Sequence, residues 1–298
     1  MSEYSDGFQD FQQGSTMTKG SRKGKTIKSI VLADNDVLLL EAVGDFLRES
    51  GFVVHVAQDG LEALELCRRE EPDCAVLDVI MPKLDGARVC WLLRQDPRLR
   101  DTFVIAFSSL SPRDYRAFPE MSADAYVAKG PLPISFQHLL SAIRRFQAGN
   151  DATVAEGIVG YEQIQPLQVV REMLEERRRH RNILRALGAD VLELDLRGRI
   201  VSANPGACEI LREKEANLIG RRVTDIAPPR EAAVLESLLT EVGKAVEPHR
   251  CRITLRLQDQ EVRVQVCAIL DGQTCTGVLL VLESDGVPKR TVPWGGGV

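Results

Sequence analysis

Between Ser29 and Gln147, short β-branched runs alternate with amphipathic stretches. The runs Ile30–Ala33, Val53–Ala57, Cys74–Leu77, Phe103–Phe107 and Ala125–Val127 are too short and too continuously apolar for surface helices, and they predict buried strands. The stretches between them carry three- and four-residue apolar spacing. Leu38–Ser50 stops at Gly51, Leu61–Arg69 stops before Pro72, and Ala87–Gln95 stops before Pro97, so each predicts a helix with its own terminator. Five βα units follow, the pattern of a doubly wound α/β domain with a five-stranded parallel sheet. The pattern lapses over GNDATVAEGIVG at 149–160. A helix is predicted over Tyr161–Leu187, with Leu167, Val170, Leu174, Ile183, Leu184 and Leu187 in three- and four-residue steps and the charged run Glu175–Asn182 interrupting them. Beyond it the period changes again. A strand, an Arg–Gly turn, a second strand and a short helix opening at Asn204–Pro205 lead to a helix over Arg230–Val246. Three alternating runs end that half: Arg250–Leu257, Val262–Ile269 and Gly277–Glu283.

With 298 residues, 44% hydrophobic and 27% charged, the chain can build two separate cores. The boundaries read as a disordered tail over 1–28, the α/β domain over 29–148, a linker and connector helix over 149–187, a smaller α+β domain over 188–284 and a flexible tail over 285–298. A net charge of -5 gives no general attraction to polyanions, and no helix-turn-helix with a basic face is visible, which argues against nucleic acid as a partner. The first 26 residues are polar and lack the apolar segment of a secretory signal, and no apolar run approaches the ~18 residues that span a bilayer. Seven cysteines without paired metal-type spacing fit a reduced, cytoplasmic protein away from the membrane.

In a parallel sheet of this kind functional groups collect beyond the carboxyl ends of the strands. There the sequence places Asp34, Asn35 and Asp36 after the first strand, Asp78 after the third, Ser108 and Ser109 after the fourth, and Lys129 after the fifth. Carboxylates, a hydroxyl and an ammonium converge there. Read singly, Asp34 and Asp36 are also good helix caps, and Lys129 a solvated strand end.

This constellation, with LDVIMPKLDG around Asp78, resembles the receiver domains of response regulators over roughly 120 residues. The resemblance implies that Asp78 accepts a phosphoryl group from a histidine kinase or phosphotransfer protein, with Mg²⁺ held by Asp34, Asn35, Asp78 and the main-chain carbonyl of Ile80. It implies Ser108 as the switch hydroxyl, Tyr126 as the switch aromatic and Lys129 as the lysine that pairs with the phosphoryl group. The chain departs from the family at two places. Asn35 stands where a second acidic residue is usual, which predicts weaker Mg²⁺ binding unless Asp36 substitutes, and Gly130 separates Lys129 from Pro131.

The second half resembles a PAS domain, through D-x-x-G-R-I-V-x-A-N at Asp195–Asn204 and the turn Leu218–Arg221. Between Tyr161 and Trp294 there is no Phe, Tyr or Trp, so a flavin or haem would lack stacking partners and neither is expected. Cys208, Cys251, Cys267 and Cys275 match no ligand spacing and read as small buried hydrophobes, and His249 reads as an exposed strand end. No room is left in the sequence for a kinase or cyclase output domain. The expectation is therefore a non-enzymatic two-component relay acting through protein contacts, dimeric through the connector and PAS domain. The competing expectation is a PAS small-molecule sensor whose degenerate receiver serves as a dimerisation module.

Overall fold

The computed structural model describes residues 24–109, 122–149, 158–159, 176, 179, 182–183, 189–257 and 260–284. The first domain runs β1 (Ser29–Ala33), α1 (Val37–Glu49), β2 (Val53–Ala57), α2 (Gly60–Glu70), β3 (Cys74–Leu77), α3 (Gly86–Gln95), β4 (Phe103–Ser108), β5 (Ala125–Ala128) and α4 (Leu132–Gln147). Its strands are parallel in the order β2-β1-β3-β4-β5. A two-residue strand, β6 (Ile158–Val159), extends the sheet by pairing in parallel with Tyr126 and Val127. The sheet thus reaches past residue 148, into the segment that sequence alone reads as linker.

Strand alternation divides the core into two layers. Ile30, Leu32, Val76, Phe103, Ile105 and Val127 face the side of α1 and α4, where Val43, Leu47, Leu139 and Ile143 cover them. Val31, Ala33, Leu77, Val104, Ala106 and Tyr126 face α2 and α3, packed by Leu61, Leu64, Leu92 and Leu93. Because both faces are covered, the strands read as unbroken apolar runs. Asp36, Asp59 and Asp85 cap α1, α2 and α3, each accepting backbone N–H groups of the first turn.

The second domain contains β7 (Asp190–Leu194), β8 (Ile200–Ala203), α5 (Pro205–Leu211), α6 (Glu215–Leu218), a 3₁₀ turn (Val223–Ile226), α7 (Pro229–Val242), β9 (Arg250–Leu257), β10 (Gln260–Asp271) and β11 (Thr274–Ser284). Its antiparallel sheet has the order β8-β7-β11-β10-β9. Leu192, Leu194, Leu255, Val262, Val264, Val266, Leu280 and Leu282 alternate onto one face, beneath Ile210, Leu218, Leu235 and Leu239. Asn204 is buried and binds three ways: its amide oxygen accepts from Val191 N–H at 2.9 Å and Ala207 N–H at 3.0 Å, and its amide nitrogen donates to the Ala189 carbonyl at 2.6 Å. It thereby caps α5 and fastens it to the start of β7. The helix α7 ends at Val242, four residues before the Val246 expected from its apolar spacing; Gly243, a poor helix former, follows it, and the Lys244 and Ala245 N–H groups turn to the Glu241 and Val242 carbonyls instead of continuing the helix.

Glu176, Arg179, Asn182 and Ile183 are helical; the remainder of the predicted connector helix, the tails expected at 1–23 and 285–298, and residues 110–121 between β4 and β5 lie outside the described residues.

Candidate functional site

The paired strands β1 and β3 set the two central carboxylates side by side. Ala33 is in register with Leu77, and the next residues are Asp34 and Asp78. Asp34 N–H donates to the Ala57 carbonyl at 3.1 Å and Asp78 N–H to the Ala33 carbonyl at 2.9 Å, so the ladder fixes both backbones before the side chains turn upward. On the other side, Lys129 N–H donates to the Ser108 carbonyl at 2.9 Å and holds the end of β5 against β4. Asp34, Asp78, Ser108 and Lys129 consequently meet at one edge of the sheet.

Asp34 and Asp78 are 2% and 5% exposed. The Lys129 ammonium lies 2.6 Å from Asp34 Oδ2 and 3.0 Å from Asp78 Oδ2. One cation therefore faces two anions, leaving an unbalanced negative charge in a desolvated place. Burial pushes the Asp78 carboxyl above the ordinary carboxylate range; the Lys129 charge opposes this, the Asp34 charge adds to it, and hydrogen bonds from Lys129 and the Ile80 N–H partly offset it. Asp34 Oδ1 accepts the Asp36 N–H at 3.0 Å. Asp34 Oδ2 is buried without a directional hydrogen bond, so its contact with Lys129 is a charge contact alone.

A buried carboxylate oxygen without a hydrogen bond, beside a second desolvated carboxylate, suits a small divalent cation with oxygen ligands. Asn35 is exposed. Asp36 Oδ1 accepts from Leu38 N–H at 3.0 Å and Leu39 N–H at 3.2 Å as the cap of α1. Among the described residues no three His, Cys, Asp or Glu side chains converge as a ready-made metal cage. Two buried carboxylates match magnesium, which keeps several of its waters.

Tyr126 is fully buried, and its hydroxyl donates to the Ser108 carbonyl at 3.1 Å. That carbonyl thus receives both Lys129 N–H and Tyr126 O–H, tying the ring to the strand end that carries Ser108. Four residues of the site escaped sequence reasoning: Asp59, Gly60, Lys83 and Gly86. A Cβ on Gly86 would lie 2.1 Å from the Asp78 carbonyl oxygen, and one on Gly60 would lie 2.0 Å from the Leu84 carbonyl oxygen. Both positions admit only glycine while the loop 79–85 passes so close. Lys83 sits on that loop with φ +63 and pairs with Asp59 at 2.5 Å. The LDG at 84–86 was the available signal for Gly86; nothing local marks Lys83.

In the second domain, His249 immediately precedes β9, with its side chain 40% exposed and 3.8 Å from Glu241. Cys275 is buried, Cys208, Cys251 and Cys267 are half-buried, and none of the four is in a disulfide.

The sequence matches the response regulator receiver domain family over residues 30–144 and the PAS fold family over residues 184–283. Response regulator MprA of Mycobacterium leprae is 39% identical over 116 residues, 39% of this chain and 49% of that protein. The chain spans about half the length of the curated relatives it matches. Among solved structures, the Francisella response regulator 1452 receiver domain is 29% identical, with 40% of this chain and 96% of that one covered and a TM-score of 0.36. The receiver domain of sensor histidine kinase PA1611 from Pseudomonas aeruginosa, with a magnesium ion coordinated in its active site cleft, is 22% identical, with 41% and 98% covered and a TM-score of 0.38. No helix among the described residues is long and apolar enough to cross a membrane.

Proposed function

We propose, for a chain that is a response regulator receiver domain over residues 30–144 followed by a PAS domain over residues 184–283, that Asp78 is the phosphoacceptor of a histidine-kinase relay whose output is protein contact. The observation that carries this reading is the Asp34–Lys129–Asp78 cluster: two buried carboxylates share one ammonium at the carboxyl edge of a parallel sheet. An Asp78 carboxylate oxygen attacks phosphorus, an acyl-phosphate bond forms, and the P–N bond of a phosphohistidine breaks with the imidazole taking up a proton. Lys129 pairs with the phosphoryl oxygens after transfer, and the Ser108 hydroxyl donates to one of them. Asp34, Asp78 and the main-chain carbonyl of Ile80 would hold Mg²⁺, whose charge offsets the repulsion between carboxylate and phosphoryl group. Asn35, a neutral ligand at best, weakens that site.

Tyr126 then carries the state outward, since it is bonded to the Ser108 carbonyl. Val37 and Leu38 at the start of α1 and Leu132 at the start of α4 are exposed, and they give the site an apolar rim for a phosphodonor's helix. Dimerisation through the connector and PAS domain belongs to the same reading.

Intact-mass measurement with acetyl phosphate and Mg²⁺ tests the reading. An acid-labile phosphoryl adduct is expected, absent in Asp78→Ala, and Asn35→Asp should reach the same occupancy at lower Mg²⁺. No adduct at saturating phosphodonor removes the relay and favours the ligand-sensing PAS domain; an unmoved Mg²⁺ midpoint in Asn35→Asp removes the account of Asn35.

A further inference from the structure

The receiver and PAS domains meet along the outer side of α2 and the start of α3. Arg68, half-buried on α2, donates from Nη1 to the Ile219 carbonyl at 2.6 Å and from Nη2 to the Ala216 carbonyl at 2.8 Å. These carbonyls lie within and just beyond α6, so a guanidinium of one domain satisfies the helix end of the other. Arg88 on α3 pairs with Glu215 at the start of α6 and lies 4.2 Å over the Trp91 ring. Gly220, with φ +86, packs so that an added Cβ would lie 3.1 Å from the Arg68 guanidinium, 3.7 Å from Leu64 and 3.8 Å from Leu61. A single apolar cluster runs through Leu61, Leu64, Leu218 and Ile219 across the junction.

Beside this contact runs a chain of charges that alternates in sign at each step. Asp59 pairs with Lys83 at 2.5 Å, Lys83 faces Asp195 at 3.8 Å, Asp195 pairs with Arg199 at 2.9 Å, and Arg199 pairs with Glu65 at 2.7 Å. Asp195 and Arg199 are buried, and Asp195 also accepts the Arg197 and Arg199 N–H groups, each at 2.9 Å. Lys83 belongs to the loop that starts at Asp78. That loop has no slack: Gly60 N–H donates to the Pro82 carbonyl at 3.3 Å, Gly86 N–H donates to the Val79 carbonyl at 3.0 Å, and both glycines touch backbone. The Gly86 backbone packs against the Asp78 carbonyl, so both ends of the loop rest on the residue that phosphorylation modifies.

We propose that the α2–α3 face of the receiver is a docking surface for the PAS domain of the same chain, and that the Asp59–Lys83–Asp195–Arg199–Glu65 chain makes docking depend on the state of Asp78. This rests on Asp78 as the phosphoacceptor. Loading Asp78 displaces the start of the loop, shifts Lys83 with it, and releases the Leu218–Arg222 turn from Arg68. By reciprocity, releasing the PAS domain tightens the loaded state of the receiver.

Hydrogen exchange on the full chain, with and without Mg²⁺ plus beryllofluoride, decides the matter. Residues 195–199 and 216–222 are expected to exchange about fivefold faster when the analogue is bound, the low end of ordinary coupling between sites, while β2 is unchanged. If 78–86 responds and the two PAS segments do not, the coupling is lost and the phosphoacceptor reading stands. If 78–86 does not respond either, both fall. Arg68→Ala, and separately Glu215→Gln in case the first variant misfolds, should speed exchange at 216–222 without the analogue and lower the beryllofluoride midpoint by about fivefold. Unchanged exchange at 216–222 in a folded variant overturns the docking surface itself.

Discussion

Asp78 carries a charge that its surroundings do not balance, because Lys129 serves Asp34 as well. Its folded-state pKa is raised, chiefly by burial. The sign of the linkage follows: the folded state binds the proton more tightly than the unfolded one, so ionising Asp78 costs stability. That cost is absent below the unfolded carboxylate value and grows as pH rises through the raised folded value. Asp78→Asn should therefore stabilise the protein at pH 7 by on the order of 1 kcal/mol, and the gain should vanish toward pH 4 in urea melts. A variant no more stable than wild type at pH 7 would show that Lys129 compensates both carboxylates. Asp36 shows where residue types stop being informative. Its position after β1 suits a ligand and a cap equally, and only the N–H groups of Leu38 and Leu39 within reach decide for the cap.

At the scale of elements, the central strand Cys74–Leu77, buried on both faces, was legible to the residue, and so was the half-exposed edge strand Val53–Ala57, whose β-branched run ends at turn residues. Continuous apolar runs bounded by turn residues leave little freedom there. The helix α7 was overextended because Val246 keeps the apolar spacing while Gly243 ends the helix, and β6 was missed because two residues carry no period. Among the second domain's motifs, Asn204 has the most definite structural duty. Asn204→Ala would leave the N–H groups of Val191 and Ala207 and the carbonyl of Ala189 without this partner in a buried place. A loss of about 2–3 kcal/mol is expected, read as a lower urea midpoint, with beryllofluoride binding by the receiver retained. A loss under about 0.5 kcal/mol, the range of an ordinary surface change, would mean that water replaces the amide.

For the molecule as a whole, the junction between domains was the least legible feature. Arg68, Arg88, Glu65 and Glu215 look like solvated charges in the sequence, and their partners lie over a hundred residues away. A core that runs through both domains should make them melt together. Scanning calorimetry of the full chain is expected to give one transition, and Arg68→Glu two; two transitions in wild type would mean that the apolar junction contributes little. The short strand β6 has a practical corollary for anyone cutting the chain. It occupies the outer edge of β5, so a fragment stopped at residue 148 would bare a row of unsatisfied amides and carbonyls, ready to template other chains into a ladder. A receiver meant to stay monodisperse on its own has to keep the chain through Val159.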